Sequence, residues 1–150
     1  MIKYCKEKWA KNENTLRDAL LKHKGIDDCE YKDIVKLAVE NILNDDDDDY
    51  DWDVENITEI DNGDYQGTLL YLIPLKTYQP SEDEYLMTYV GYGSCSGCDT
   101  LQSIQYGSTD ENKINDYVKL CRDIICNTIK PYNKGWRKES IFDDVEDIEV

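Results

Sequence analysis

Five consecutive apolar residues, Leu69-Leu70-Tyr71-Leu72-Ile73, stand in a chain of 150 residues of which 33% are charged. A run of this length closed by Pro74 is too short for a typical helix and reads as a strand. Because it is apolar at every position and not at alternate ones, it predicts a central strand covered on both faces. Residues on either side alternate with period two, so Val54 to Asp61, Tyr65 to Pro74 and Glu84 to Tyr92 read as three strands. Asp61-Asn62-Gly63-Asp64 supplies a tight turn, since Asn and Gly tolerate the positive φ that hairpins require. Pro74 and Tyr78-Gln79-Pro80-Ser81 mark the connection to the third strand.

Helical periodicity flanks this block. Ile2, Cys5, Trp9, Leu16 and Leu20 fall on one face of a helix over residues 2–24, with a break expected near Asn12 to Asn14 and Gly25 as C-cap. Asp27 or Asp28 is placed to cap a second helix whose stripe is Tyr31, Ile34, Val35, Ala38 and Ile42. After the strands come a short helix with Leu101 and Ile104 inward, then a capping box at Ser108 and Glu111. The last helix carries Ile114, Tyr117, Val118, Cys121, Ile124 and Ile125 and stops before Pro131. The order ααβββαα predicts one α+β domain over residues 1–138, a three-stranded antiparallel sheet packed with four helices, followed by an acidic tail over 139–150.

Twelve tyrosines and three tryptophans supply a real core, and a chain of this length can bury roughly two thirds of its unfolded surface. No apolar run approaches the ~20 residues needed to span a bilayer, and Met1 to Lys6 lead into charged residues, not a signal peptide. The expected setting is therefore the cytoplasm, with the six cysteines reduced. The formal charge of −16 is concentrated in residues 25–64 and in the tail, whereas residues 1–24 and 111–138 are net positive. Such a field repels nucleic acid and attracts a basic protein surface.

Asn44 is followed by Asp45, Asp46, Asp47, Asp48 and Asp49, then by Tyr50, Asp51, Trp52 and Asp53. Adjacent carboxylates repel, so the segment reads as a solvated loop. Its functional alternative is a display of carboxylates that imitates a phosphate backbone and binds a basic partner, with Tyr50 and Trp52 as contact anchors or as staples to the core. An EF-hand register on Asn44, Asp46, Asp48 and Glu55 puts Asp49 where the loop needs glycine, so calcium is disfavoured.

The second candidate is the stretch Gly93 to Leu101, which contains Ser94, Cys95, Ser96, Cys98 and Asp99. Cys-x-x-Cys at a strand-to-helix junction suits a thiolate stabilised by the helix N-terminus, or one half of a zinc site. Zinc needs two further ligands, and Cys121 and Cys126 point about 140° apart on a helix. Backbone N–H groups of the small residues offer an anion cradle, although neither a Walker loop nor Gly-x-Gly-x-x-Gly is present. Close packing of small cysteines is the plain alternative. No cofactor is assigned. The single histidine, His23, reads as completing a helix C-terminus, and no hydrolase or kinase motif appears, so no catalytic residues are assigned.

The strings Ile60 to Thr68, Tyr78-Gln79-Pro80-Ser81, Lys8-Trp9-Ala10-Lys11-Asn12 and Tyr92 to Ile104 (YGSCSGCDTLQSI) resemble a family of small uncharacterised proteins of tailed phages and prophages. The resemblance implies an accessory, non-virion protein acting inside the infected cell, with no activity to carry over. The aspartate run and the acidic tail are not part of that pattern. The expected function is contact with the basic surface of a host protein, as a nucleic-acid mimic or an enzyme inhibitor. A small-ligand, nucleotide or zinc site at Ser94 to Asp99 is the alternative.

Overall fold

The computed structural model describes residues 2–47, 50–63, 66–81, 84–95 and 97–129. Four helices and a three-stranded antiparallel sheet follow in the order ααβββαα, an α+β fold. The acidic tail over 139–150 lies outside the described residues.

Helix α1 (Ile2–Lys22) runs unbroken through Asn12. The expected break does not occur because the Asn12 side chain is buried and donates to the Ile42 carbonyl at 2.8 Å, outside its own helix. Gly25 is not a left-handed cap: its φ is −105°, and it leads into a 3-10 turn at Ile26–Asp28. Asp27 and Asp28 lie within that turn, three and two residues too early to cap helix α2 (Tyr31–Ala38). Glu30 takes the cap position instead, its N–H donating to the Asp33 carboxylate at 2.9 Å. The helical path continues as a wide turn over Val39–Leu43, closed by Asn44 N–H to the Val39 carbonyl at 3.1 Å.

Strand β1 (Thr58–Gly63) begins four residues later than its periodicity suggests, because Asp53 caps a 3-10 turn over Val54–Asn56. It pairs with β2 (Gly67–Pro74), which pairs with β3 (Tyr85–Tyr92). Gly63 faces Gly67 across the hairpin. A Cβ at Gly63 would lie 2.3 Å from the Gln66 carbonyl oxygen, and one at Gly67 would lie 2.5 Å from that of Asn62. Close approach, and not positive φ, is what requires glycine here, since no described glycine has positive φ.

β2 is central, as its apolar run predicts, but among the described residues only one of its faces is fully covered. Tyr71 and Ile73 are buried, while Leu70 and Leu72 on the other face are half-buried beside exposed Ile60 and Tyr89. The covered face joins Ile34, Ile42, Leu86 and Ile124 in one core. Helix α3 (Thr100–Gly107) and helix α4 (Asp110–Cys126) complete the fold. Thr109, not Ser108, precedes α4, and Ser108 closes α3 while donating to Asp116 at 2.5 Å. The α4 stripe Tyr117, Val118, Cys121, Ile124 and Ile125 is buried as its spacing predicts. Thr88 Oγ1, buried on β3, donates to the Ile124 carbonyl at 2.7 Å, which fastens sheet to helix.

Candidate functional site

The aspartate segment is built onto the core. Asp45 turns inward and meets α1: Lys8 Nζ lies 2.6 Å from its carboxylate, Asn12 Nδ2 2.8 Å and Lys11 Nζ 3.3 Å. The Asp47 N–H also donates to it, at 3.1 Å. Lys8 and Asp45 keep only 10% and 13% of their side-chain surfaces exposed. Burial alone would raise the Asp45 pKa, but hydrogen bonds from Lys8, Asn12 and Lys11 outweigh it and hold the carboxyl below the ordinary range.

The far end of the segment is fixed as well. Trp52 is 1% exposed, so it staples the loop to the core and is not an outward anchor. Tyr50 stacks on it with ring centroids 6.5 Å apart. The Asn44 amide brackets the Trp52 backbone, accepting its N–H at 2.7 Å and donating to its carbonyl at 2.8 Å. Those contacts occupy the side chain that would open an EF-hand. Asp53 N–H reaches the Pro74 carbonyl at 2.7 Å, and Lys76 N–H reaches that of Asp51 at 2.8 Å, so residues 51–53 run alongside the end of β2. The Asp53 carboxylate caps the turn at Glu55 N–H, 3.3 Å, and accepts from Asn56 at 2.6 Å.

What faces solvent is a subset of the carboxylates. Asp47, Asp51 and Glu55 have side-chain exposures of 66%, 60% and 72% and pair with Lys11, Lys76 and Lys36 respectively. Asp46 is exposed. Asp48 and Asp49 lie outside the described residues.

The thiol loop is organised by Asp99, which is buried. One oxygen accepts the Tyr31 hydroxyl at 3.0 Å and the Gln102 N–H at 2.9 Å, and the other accepts the Gly93 N–H at 2.9 Å. Burial, the largest influence, pushes the Tyr31 phenol upward, so it stays protonated as a donor. Asp99 thereby caps α3 and closes the loop on itself. Inside the loop, Cys98 N–H and Asp99 N–H both bond to the Cys95 carbonyl, at 3.1 and 2.9 Å. The Cys95 N–H points at Cys98 Sγ, 3.0 Å away. The N–H groups of Gly93, Cys95, Cys98 and Asp99 are thus used within the loop, and of the small residues expected to cradle an anion only Gly93 is among them. Ser94 Oγ lies 3.9 Å from Cys98 Sγ, and Ser96 lies outside the described residues.

No known protein family, curated protein or solved structure matches this chain.

Among the described residues, no three His, Cys, Asp or Glu side chains gather where they could hold a metal ion. No described helix is long and apolar enough to cross a membrane. Periodicity did not single out Lys8, and it gave Asn12 only as a helix break and Tyr31 only as part of the apolar stripe of α2. The available signal was positional: Lys8 and Asn12 fall on the apolar stripe of α1 between Cys5 and Leu16, where a polar residue needs a buried partner.

Proposed function

We propose that this chain works by contact with a basic protein surface, presented with the fixed acidic shoulder of Asp46, Asp47, Asp51 and Glu55. The observation that carries this reading is the clasp of Asp45 by Lys8, Lys11 and Asn12, because it orders the loop in the free protein. A pre-ordered loop loses little conformational freedom on binding, which is the main cost of recruiting a flexible one. The exposed pairs with Lys11, Lys36 and Lys76 contribute at most about 1 kcal/mol each in water, so cations of a partner can exchange with them. The excess negative charge steers such a partner in and keeps nucleic acid out.

Imitation of a phosphate ladder is the narrower form of this idea, and it requires consecutive outward carboxylates. Asp45 and Asp53 spend theirs on internal groups, so contact with a basic surface is the form proposed. The resemblance to phage proteins makes a host protein inside the infected cell the expected partner. The test is affinity capture from host lysate at low and moderate salt, with the unaltered chain and with a variant carrying Asp46→Asn, Asp51→Asn and Glu55→Gln. The expected result is a defined partner held by the unaltered chain, weakened by salt, and lost with the variant. Capture that is equal for both chains at moderate salt overturns the proposal.

A further inference from the structure

Away from the acidic shoulder, Cys95 and Cys98 are both exposed free thiols on the loop between β3 and α3. We propose that they form a dithiol site that exchanges with accessible disulfides, with Cys98 as nucleophile and Cys95 as the resolving thiol.

The first argument is spacing. The bond from Cys98 N–H to the Cys95 carbonyl is the closing bond of a β-turn, which holds the two Cα atoms within about 7 Å. Disulfides form at Cα separations of about 4.4–6.8 Å, so closure needs side-chain rotation and little backbone movement. The second is rigidity. Asp99 ties both ends of the loop through Gly93 and Gln102. A Cβ at Gly93 would lie 2.4 Å from the Cys98 carbonyl oxygen and 3.1 Å from its sulfur, so Gly93 supports Cys98 from beneath. The third is access. Cys98 borders a cavity of about 420 Å³ between α3 and α4, also lined by Ser103, Ser108, Asp116 and Lys119, which admits one arm of a small disulfide.

The roles follow from the donors. Cys98 Sγ receives the Cys95 N–H, and hydrogen bonding from the Cys95 side chain, with smaller help from Ser94, holds its pKa below the ordinary thiol value. Burial pushes the Cys5 and Cys121 thiols up to about 12 instead, which leaves them inert. In the exchange, Cys98 thiolate attacks one sulfur of R–S–S–R′, forming a mixed disulfide and releasing R′–S⁻. Cys95 then loses its proton and attacks Cys98 Sγ, forming the Cys95–Cys98 bond and releasing R–S⁻. Two electrons pass from the cysteine pair to the substrate, and the two expelled thiolates take up protons.

The test incubates the reduced full chain with 2-hydroxyethyl disulfide, a neutral probe that the negative field does not repel, then blocks free thiols and maps each cysteine by mass spectrometry. The expected products are a Cys95–Cys98 disulfide in the unaltered chain and a lasting mixed disulfide on Cys98 in Cys95→Ser. Cys98→Ser is expected to slow the loss of the probe at least about tenfold. A mixed disulfide that persists on Cys98 while Cys95 stays free overturns the proposal, as does first modification at Cys29 or Cys126. Should either variant misfold, iodoacetamide competition on the unaltered chain decides: alkylation at Cys98 at least about tenfold faster than at Cys126 supports it, and equal rates overturn it.

Discussion

Lys8 and Asp45, 37 residues apart in sequence, meet at 2.6 Å in a nearly buried ion pair that joins the first helix to the acidic segment. A lysine on the apolar stripe of α1 and the first aspartate of a charge run each look costly alone. Together, with Asn12 and Lys11, they fix the start of a self-repelling run against α1.

Removing one member of such a pair strands the other charge in a poorly solvated place. Asp45→Ala is expected to cost about 2–3 kcal/mol in urea unfolding, below the usual range for a fully buried pair because some solvent reaches both groups. Lys8→Met with Asp45→Ala should cost less than the sum of the singles, since the double variant leaves no stranded partner.

The pH dependence has a definite sign. The folded-state pKa of Asp45 is depressed, so its contribution is complete above the unfolded value of roughly 3.9 and is lost as pH falls through the lower folded value. Asp45→Asn should melt below the unaltered chain near pH 6, and the gap in Tm should narrow as pH falls below the unfolded value of roughly 3.9. A gap that is constant across this range would remove the charge from the explanation.

Trp52 carries the other end of the segment, fully enclosed and stacked by Tyr50. Trp52→Ala is expected to cost about 3–5 kcal/mol, and Trp52→Phe less, measured by denaturant unfolding. A cost near zero for the alanine variant would mean that the segment is not docked.

Asp99 satisfies Gly93, Gln102 and Tyr31 at once. Asp99→Ala removes a helix cap and leaves buried donors without partners, an expected loss of about 2–3 kcal/mol. Tyr31→Phe removes one donor and should cost about 1 kcal/mol. Thermal unfolding of the two variants checks the ordering.

The helical stripes and the three strands were legible in the sequence because apolar periodicity reports local burial directly. α4 follows its spacing from Tyr117 to Ile125, with Ile114 only partly buried and Leu120 buried beside the stripe, and Leu69 to Ile73 lies in the central strand. Periodicity is blind to contacts made across long stretches of chain. It marked Asn12 as a break when its amide answers Ile42 and Asp45, and it started β1 at Val54 when Asp53 first caps a turn. It also read the aspartate run as solvated throughout, since nothing local discloses that Lys8 faces inward. Cys95 and Cys98 stand out in the sequence as a motif, whereas nothing local marks Asp99 as the residue that holds their loop in place.

The central claim is that residues 44–47 and 50–53 form a built surface and not a mobile string of charges, and amide hydrogen exchange tests it most directly. The account predicts slowed exchange at the N–H groups of Trp52 and Asp53, which bond to Asn44 and Pro74, with that protection reduced by Asp45→Ala. Exchange at free-chain rates in the unaltered protein would contradict it.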